Sequence, residues 1–207
     1  MNLLLDWIES VPKKTSELFE NNSNIVSITK KVKKDNTIIK KLARNKEFEK
    51  NMIDLVEKGI KNSSWEGILY LMHFKKDLSQ ILYIGKTEKK GVSNKISVNI
   101  KNLRTDKSKF GRWGDGLAYH IGDLSHALFK EKAYKKPSKK YYRWSERIFS
   151  IMEPPTLKEK IFITLISWNE GMKGPSGLTC SLPSVEKEII ALSSEHHSKT
   201  LLNIDGI

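Results

Sequence analysis

Gly67-Ile68-Leu69-Tyr70-Leu71-Met72-His73-Phe74 and Ile81-Leu82-Tyr83-Ile84-Gly85-Lys86 are the two strings on which the reading of this chain turns. Both are rich in aliphatic, β-branched and aromatic residues, and Lys75-Lys76-Asp77-Leu78-Ser79-Gln80 separates them as a polar connector. Two short apolar runs around such a connector predict an antiparallel hairpin. Each run carries a tyrosine, Tyr70 or Tyr83, and the second is closed by Gly85 and Lys86. As an isolated pair these would read as half-buried sheet tyrosines. The residues around them give the pair a second reading.

Outward from the hairpin, Lys160-Ile161-Phe162-Ile163-Thr164-Leu165-Ile166-Ser167-Trp168 predicts a third strand. Its continuous apolar character suits a central position covered on both faces. The first sixty residues read as helical. Leu3, Leu4, Trp7 and Ile8 form a short apolar face ended by Pro12, and residues 36–61 carry Ile38, Ile39, Leu42, Phe48, Met52, Leu55, Val56 and Ile60 near a helical period, with Asn36 as N-cap. Residues 94–103 predict a further helix, and a last helix starts near Ser184. The expected fold is α+β: a small, mainly antiparallel three-stranded sheet flanked by helices. Residues 1–62 would form a helical N-terminal extension, and residues 63–207 the main domain, with an inserted basic segment near 104–150.

Charge narrows the partners. Of 207 residues, 37 are Lys or Arg against 24 Asp or Glu, a formal net charge of +13. Such a surplus repels itself unless a polyanion neutralises it, and phosphate backbones are the common polyanion. A solvated basic surface or an acidic protein partner are the alternatives, and the run Lys30-Lys31-Val32-Lys33-Lys34 reads equally as a solvated loop or a DNA contact. The one cysteine, Cys180, rules out an intrachain disulfide and a thiolate zinc cluster. It has no adjacent histidine to activate it and reads as structural. Asp6 and Glu9 interrupt the apolar start, so it lacks the basic n-region and long apolar core of a secretory signal. The expectation is a soluble cytoplasmic protein with no membrane partner.

The pairing of Gly67-Ile68-Leu69-Tyr70 with Tyr83-Ile84-Gly85 resembles the signature of the GIY-YIG nucleases, and the likeness covers residues 65–204. Members of that family open a C-terminal helix with Glu-x-x-aliphatic-aliphatic and follow it with a Leu-Asn-like ending. Glu186-Lys187-Glu188-Ile189-Ile190 and Leu202-Asn203 are similar. The resemblance implies a divalent-metal-dependent endonuclease that hydrolyses phosphodiester bonds in DNA, with a role such as restriction or defence. Glu186 would hold Mg²⁺ or Mn²⁺, Tyr70 would accept a proton from the attacking water, Tyr83 would orient water or phosphate, Lys86 would supply phosphate charge and Asn203 would support the site. A non-catalytic nucleic-acid binder with a degenerate site, and a nuclease toxin acting on RNA, are the alternatives. Double-strand cutting by one small site favours a homodimer.

One position departs from the family pattern. An arginine, often with a histidine four residues later, follows the second strand in these nucleases, whereas the closest fit here places Lys95 and Asn99 there. Lysine is a point charge without the guanidinium fork, and Asn99 transfers no proton. Phe110-Gly111-Arg112-Trp113-Gly114-Asp115-Gly116 offers a replacement: Arg112 as phosphate clamp, with His120 as an acid/base partner or a hydrogen-bonded structural histidine. These blocks resemble those of a divergent bacterial branch of the family. Lys101, Arg104, Lys135, Lys136, Lys139, Lys140 and Arg143 complete a candidate nucleic-acid surface, with Tyr141 and Trp144 sharing a helix face that points to the core.

Overall fold

The computed structural model describes residues 3–32, 36–74, 76, 78–129 and 139–203. In chain order the elements are α1 (Leu3–Ser10), β1 (Lys14–Glu17), β2 (Asn21–Asn22), β3 (Ile25–Val26), β4 (Ile28–Val32), β5 (Ile38–Leu42), α2 (Lys46–Ile60), β6 (Trp65–His73) and β7 (Ile81–Glu88). There follow α3 (His120–Phe129), α4 (Lys139–Ile148), β8 (Phe149–Ile151), β9 (Thr156–Leu157), β10 (Phe162–Asn169) and α5 (Leu182–His197).

The fold is α+β, and the main sheet has four strands rather than three, in the order β1-β10-β6-β7, all antiparallel. The predicted hairpin is β6–β7, and the predicted central strand is β10, with its neighbours on both sides. The unforeseen fourth strand is Lys14-Thr15-Ser16-Glu17, which pairs with β10 from Lys14↔Leu165 to Glu17↔Phe162. Too polar and short to announce itself, it is fixed by an edge that already exists, where Thr15 Oγ1 meets Thr164 Oγ1 at 2.7 Å.

The first sixty residues are therefore not a helical extension: five short strands lie between α1 and α2. Ile38-Ile39-Lys40-Lys41-Leu42 pairs with β4 instead of beginning a helix. Its apolar spacing fits either period, and consecutive β-branched residues favour the strand. The helix starts at Lys46, where Asn45 Oδ1 accepts from Glu47 N at 2.8 Å and Phe48 N at 3.3 Å. Asn45, not Asn36, is the N-cap, and Glu47 and Glu49 complement the helix dipole in the first turn. Residues 94–103 form separate turns: Asn102 has a φ of 63°, which a continuing helix does not accommodate. The last helix begins at Leu182, two residues earlier than expected, with Pro183 in its first turn.

Two apolar clusters sandwich the sheet. On one face Ile68, Tyr70, Met72, Ile163 and Leu165 pack with Phe48, Met52 and Val56 of α2 and with residues of α3 and α4. On the other, Leu69, Leu71, Ile166 and Trp168 meet α1 and α5 through Leu4, Ile8, Val185 and Ile189. Coverage on both sides explains why β6 and β10 are apolar at successive positions. The outer edge of β7 is closed over its first half by the C-terminal segment. Leu202 N donates to Leu82 O at 2.6 Å, Thr200 Oγ1 to Ile81 O at 3.0 Å, and the Asn203 amide both accepts from Ile84 N at 2.8 Å and donates to Ile84 O at 2.7 Å. Beyond Ile84 the edge opens into a cleft.

Asn203 is buried, so Asn203→Ala leaves two strand-edge groups without their partner. Loss of buried hydrogen bonds of this kind costs about 2 kcal/mol. Urea unfolding should show a destabilisation of that size, and a variant as stable as the wild type would mean that the edge of β7 is held by something else.

Candidate active site

The β6–β7 register sets Tyr70 opposite Gly85 and Met72 opposite Tyr83. Alternate residues of a strand share a face, so Tyr70, Tyr83, Gly85 and Thr87 point to one side of the hairpin. The two phenol rings lie 6.3 Å apart between centroids. Gly85 has a steric reason: a Cβ there would sit 2.6 Å from Cε2, Cζ and Oη of Tyr70. The Tyr70 ring rests on the bare glycine backbone across the register. Lys86 points to the opposite face, where its Nζ lies 3.4 Å from Glu186 Oε2 and 3.4 Å from Glu88 Oε2.

Glu186 reaches this point because α5 is fixed to β6. Glu66 Oε2 accepts the Leu182 N–H at 2.6 Å, so a carboxylate beside Gly67 satisfies the start of the helix. One turn on, Glu186 meets the hairpin while Ile189 and Ile190 are buried beside it. Burial raises the Glu186 carboxyl above its usual value, against the pull of Lys86 and with a further push from Glu88. Glu188, the weaker candidate, turns away and accepts from Ser176 N at 2.6 Å.

Tyr70, Tyr83, Lys86, Arg112 and Glu186 line one open cleft of about 520 Å³ at the β7 edge. Arg112 enters it from a single 3-10 turn, Phe110–Arg112, whose three residues have φ values of 26°, 57° and 76°. Left-handed non-glycine backbone is strained and persists where its surroundings over-determine it. Phe110 and Trp113 are fully buried on either side, and Gly111 N donates to Asn99 O at 2.6 Å. Arg44 stacks over Phe110 at 4.8 Å and donates through Nη1 to Trp113 O at 3.2 Å.

Behind Tyr70 is a polar chain in an aromatic setting. The Tyr70 hydroxyl is 3.2 Å from His120 Nε2, and His120 Nδ1 is 2.9 Å from the Tyr141 hydroxyl. Trp113 and Trp144 flank the imidazole, with ring centroids at 4.7 and 5.2 Å. Burial, then the charges of Lys140 and Arg112, hold the His120 pKa well below the ordinary histidine value. Burial and the neighbouring Tyr83 push the Tyr70 phenol well above its own. A neutral imidazole has one donor and one acceptor nitrogen. In one tautomer Nε2 accepts a hydrogen bond from the Tyr70 hydroxyl, leaving lone pairs of the Tyr70 oxygen to the cleft. The other donates from Nε2 to that oxygen.

The remaining candidates separate clearly. Lys95 is exposed and does not line the cleft, whereas Asn94, Val98 and Asn99 do. Without a helix at 94–103, the expected arginine-and-histidine spacing has no counterpart there. Asn203 acts on the strand edge. Arg104 is engaged in a fork with Glu57 at 2.6 and 2.9 Å, and Lys101 is exposed. On α4, Tyr141 and Trp144 are buried as their shared face implies, and Lys139 and Arg143 are exposed. Lys140 leans over the Tyr83 ring at 4.9 Å, closing the rim of the aromatic group. Lys135 and Lys136 lie outside the described residues. Cys180 is partly buried, and burial followed by the Glu188 charge raises its thiol, which disfavours a nucleophilic thiolate.

Thr87, Glu66 and Arg44 are the residues that sequence reasoning passed over, and Tyr141, read there as a core residue, also bonds His120. Thr87 lines the cleft with its Oγ1 buried and without a hydrogen-bond partner among the described residues. Its position two residues after Gly85 was the available signal.

Among the described residues no group of three or more His, Cys, Asp or Glu side chains gathers as a metal cage. Mg²⁺ does not need one: it is commonly held by one or two carboxylates together with waters and substrate phosphates. A single half-buried carboxylate in an open cleft fits that pattern, provided Lys86 yields its contact with Glu186. No protein-family model matches this chain, and no curated protein or solved structure matches it either.

His120 generates a pH signature. With its folded pKa depressed, the unfolded chain binds a proton that the native state refuses as pH falls below about 6.5. Stability then decreases with falling pH by up to about 1.4 kcal/mol per unit until the folded pKa is reached. Subtracting the urea stability of His120→Gln from that of the wild type between pH 7.5 and 5 should expose this slope. Parallel curves would mean that His120 is not held neutral.

Proposed function

We propose that this chain is a divalent-metal-dependent endonuclease of the GIY-YIG type, hydrolysing phosphodiester bonds in DNA. The observation that carries the reading is one cleft holding Tyr70, Tyr83, Lys86, Arg112 and Glu186, brought together from two strands, a turn and a helix. These are the groups that phosphodiester hydrolysis calls for: a proton acceptor, cationic donors for the phosphate and a carboxylate.

Glu186 would hold Mg²⁺ or Mn²⁺, which would supply Lewis-acid charge to the phosphate when bound. Arg112 grips the phosphate with its fork from a rigid turn, and Lys86 adds a point charge on leaving Glu186. The oxygen of the attacking water bonds phosphorus as the P–O bond to the leaving strand breaks, and the leaving oxygen takes a proton from solvent. Tyr70 accepts a proton from that water while its own hydroxyl proton passes to Nε2 of His120. This route avoids a free phenolate, which burial disfavours. The imidazolium that forms is opposed by burial and by Lys140 and Arg112, and the negative phosphodiester in the cleft offsets that opposition. Tyr83 orients the water. Lys139, Lys140 and Arg143 on α4 follow the strand beyond the cleft, with RNA as the alternative substrate. Cutting both strands of a duplex requires two copies or two visits, so a homodimer belongs to this reading, as does a restriction or defence role.

The Lys86–Glu186 ion pair and the absence of a family-like arginine at residue 95 favour a second reading, a nucleic-acid binder without turnover. One experiment separates the two: supercoiled plasmid, single-stranded DNA and RNA incubated with Mg²⁺ or Mn²⁺. Wild type should cut in a metal-dependent manner. Tyr70→Phe should lose about 10²–10⁴-fold, the range of a general base. Glu186→Ala should lose at least as much, and Arg112→Lys a smaller factor because charge survives without the fork. Salt-sensitive binding with no cutting under any condition supports the second reading, and cutting that survives Glu186→Ala removes this site from consideration.

A further inference from the structure

The β4–β5 ribbon is not used by the cleft. It pairs with no third strand among the described residues, running antiparallel from Ile28↔Leu42 to Val32↔Ile38. One face is seated on the body of the protein. Ile39 is 4% and Lys41 8% exposed, Lys41 Nζ lies 3.5 Å from Asp115 Oδ2, and Leu42 N donates to Ser125 Oγ of α3 at 3.0 Å.

The other face is unusual in its chemistry. Lys30 and Lys40 stand directly opposite each other, a cross-strand pairing of like charges that disfavours the sheet. Glu153 contacts Lys40 and relieves part of this. One pair further out, Val32 and Ile38 are 62% and 52% exposed. Lysines alone would serve to guard an unpaired edge against accidental strand pairing. Two exposed β-branched side chains work against that purpose, so edge protection does not account for the face. Cations beside apolar side chains on a slender ribbon are what a DNA groove demands. The cations meet phosphates, and the apolar groups meet the methyl of thymine. The B-form major groove is about 12 Å wide and admits a two-stranded ribbon, whereas the A-form major groove of duplex RNA is too narrow.

We propose that the β4–β5 ribbon is a duplex-DNA-binding arm that enters the major groove, with Lys30 on backbone phosphate and Val32 and Ile38 against thymine methyl groups. Its root continues into Arg44, which holds the turn carrying Arg112, so arm and cleft share one support. The proposal deepens the nuclease reading by naming duplex DNA as the target, yet its binding chemistry can be tested without cleavage.

The test is fluorescence anisotropy of the full chain with EDTA present. The probes are an A·T-rich DNA duplex, the same duplex with deoxyuridine replacing thymidine, and the equivalent RNA duplex. Wild type should prefer the thymine duplex by about fourfold for each methyl that is buried, and should bind the RNA duplex more weakly still. Val32→Ser/Ile38→Ser should abolish the thymine preference, while Lys30→Ala should weaken all duplexes and lower the salt slope by about one. Equal binding of the thymine and uracil duplexes by wild type overturns the arm outright, and this comparison decides the matter even if the double variant fails to fold. A preference unchanged in a folded double variant overturns it as well. A wild type that cuts plasmid without thymine preference refutes the arm alone, and one that shows the preference without cutting refutes the nuclease reading alone.

Discussion

Everything at the candidate site depends on the Tyr70 ring lying on Gly85 across the β6–β7 register. A one-residue slip of β7 would send Tyr83 to the α5 face and Lys86 to the aromatic one, while Tyr70 stayed in place on β6, which β10 also holds. The present register puts the phenols against His120 and sends Lys86 toward Glu186, so the edge of β7 becomes the line on which both faces of the sheet meet. Gly67, opposite Glu88 further along the same pair of strands, answers a separate close approach. Its φ of 152° and the closeness of Thr87 O exclude a side chain. The hairpin therefore needs two glycines, Gly85 beneath the Tyr70 ring and Gly67 against the β7 backbone, before any catalytic chemistry is considered.

The ionisable groups at this site are arranged against their own solvation. Glu186 is raised, His120 lowered and Tyr70 raised, each chiefly by burial. A site selected only for stability would replace them with apolar residues of similar volume, which often pack as well or better. Tyr70 and Glu186 in the cleft, with His120 directly behind Tyr70 and a turn of left-handed backbone beside them, make a concentration of local frustration that the apolar clusters on either face must sustain. Ionisable groups with perturbed titration near a concave site accompany the gathering of Tyr70, Lys86, Arg112 and Glu186 in one cleft, on which the functional reading stands.

How far the sequence disclosed this depends on whether each feature was local. The hairpin and the central β10 were legible because their apolar runs are unbroken, and Glu186 because Ile189 and Ile190 mark the buried side of its helix. Arg112 was legible because glycines flank it within a short aromatic loop. β1 was not, since Lys14-Thr15-Ser16-Glu17 forms a strand only when β10 offers it an edge. The helix expected at 94–103 failed at Asn102, whose left-handed backbone no hydrophobic pattern reveals. The Tyr70–His120–Tyr141 chain joins residues far apart in sequence, on two helices and a strand, and Glu66 meets Leu182 across 116 positions. Such contacts belong to the packing and leave no periodic trace.

The same packing changes what the first sixty residues are for. Phe48 of α2 meets Phe110 and Trp113 edge-on, with centroids at 5.9 and 6.3 Å, and Arg44 closes over the Phe110 ring. The strain of the Phe110–Arg112 turn, of the order of 1–3 kcal/mol for each left-handed non-glycine residue, needs this kind of immobile floor. A guanidinium on a slack loop would lose the geometric advantage of its fork, because a planar donor pair is worth more than a point charge only when its orientation is held. The arginine that lines the cleft is thus one whose aim depends on residues lying before β6. The N-terminal segment supplies the rigidity, and the turn converts that rigidity into direction.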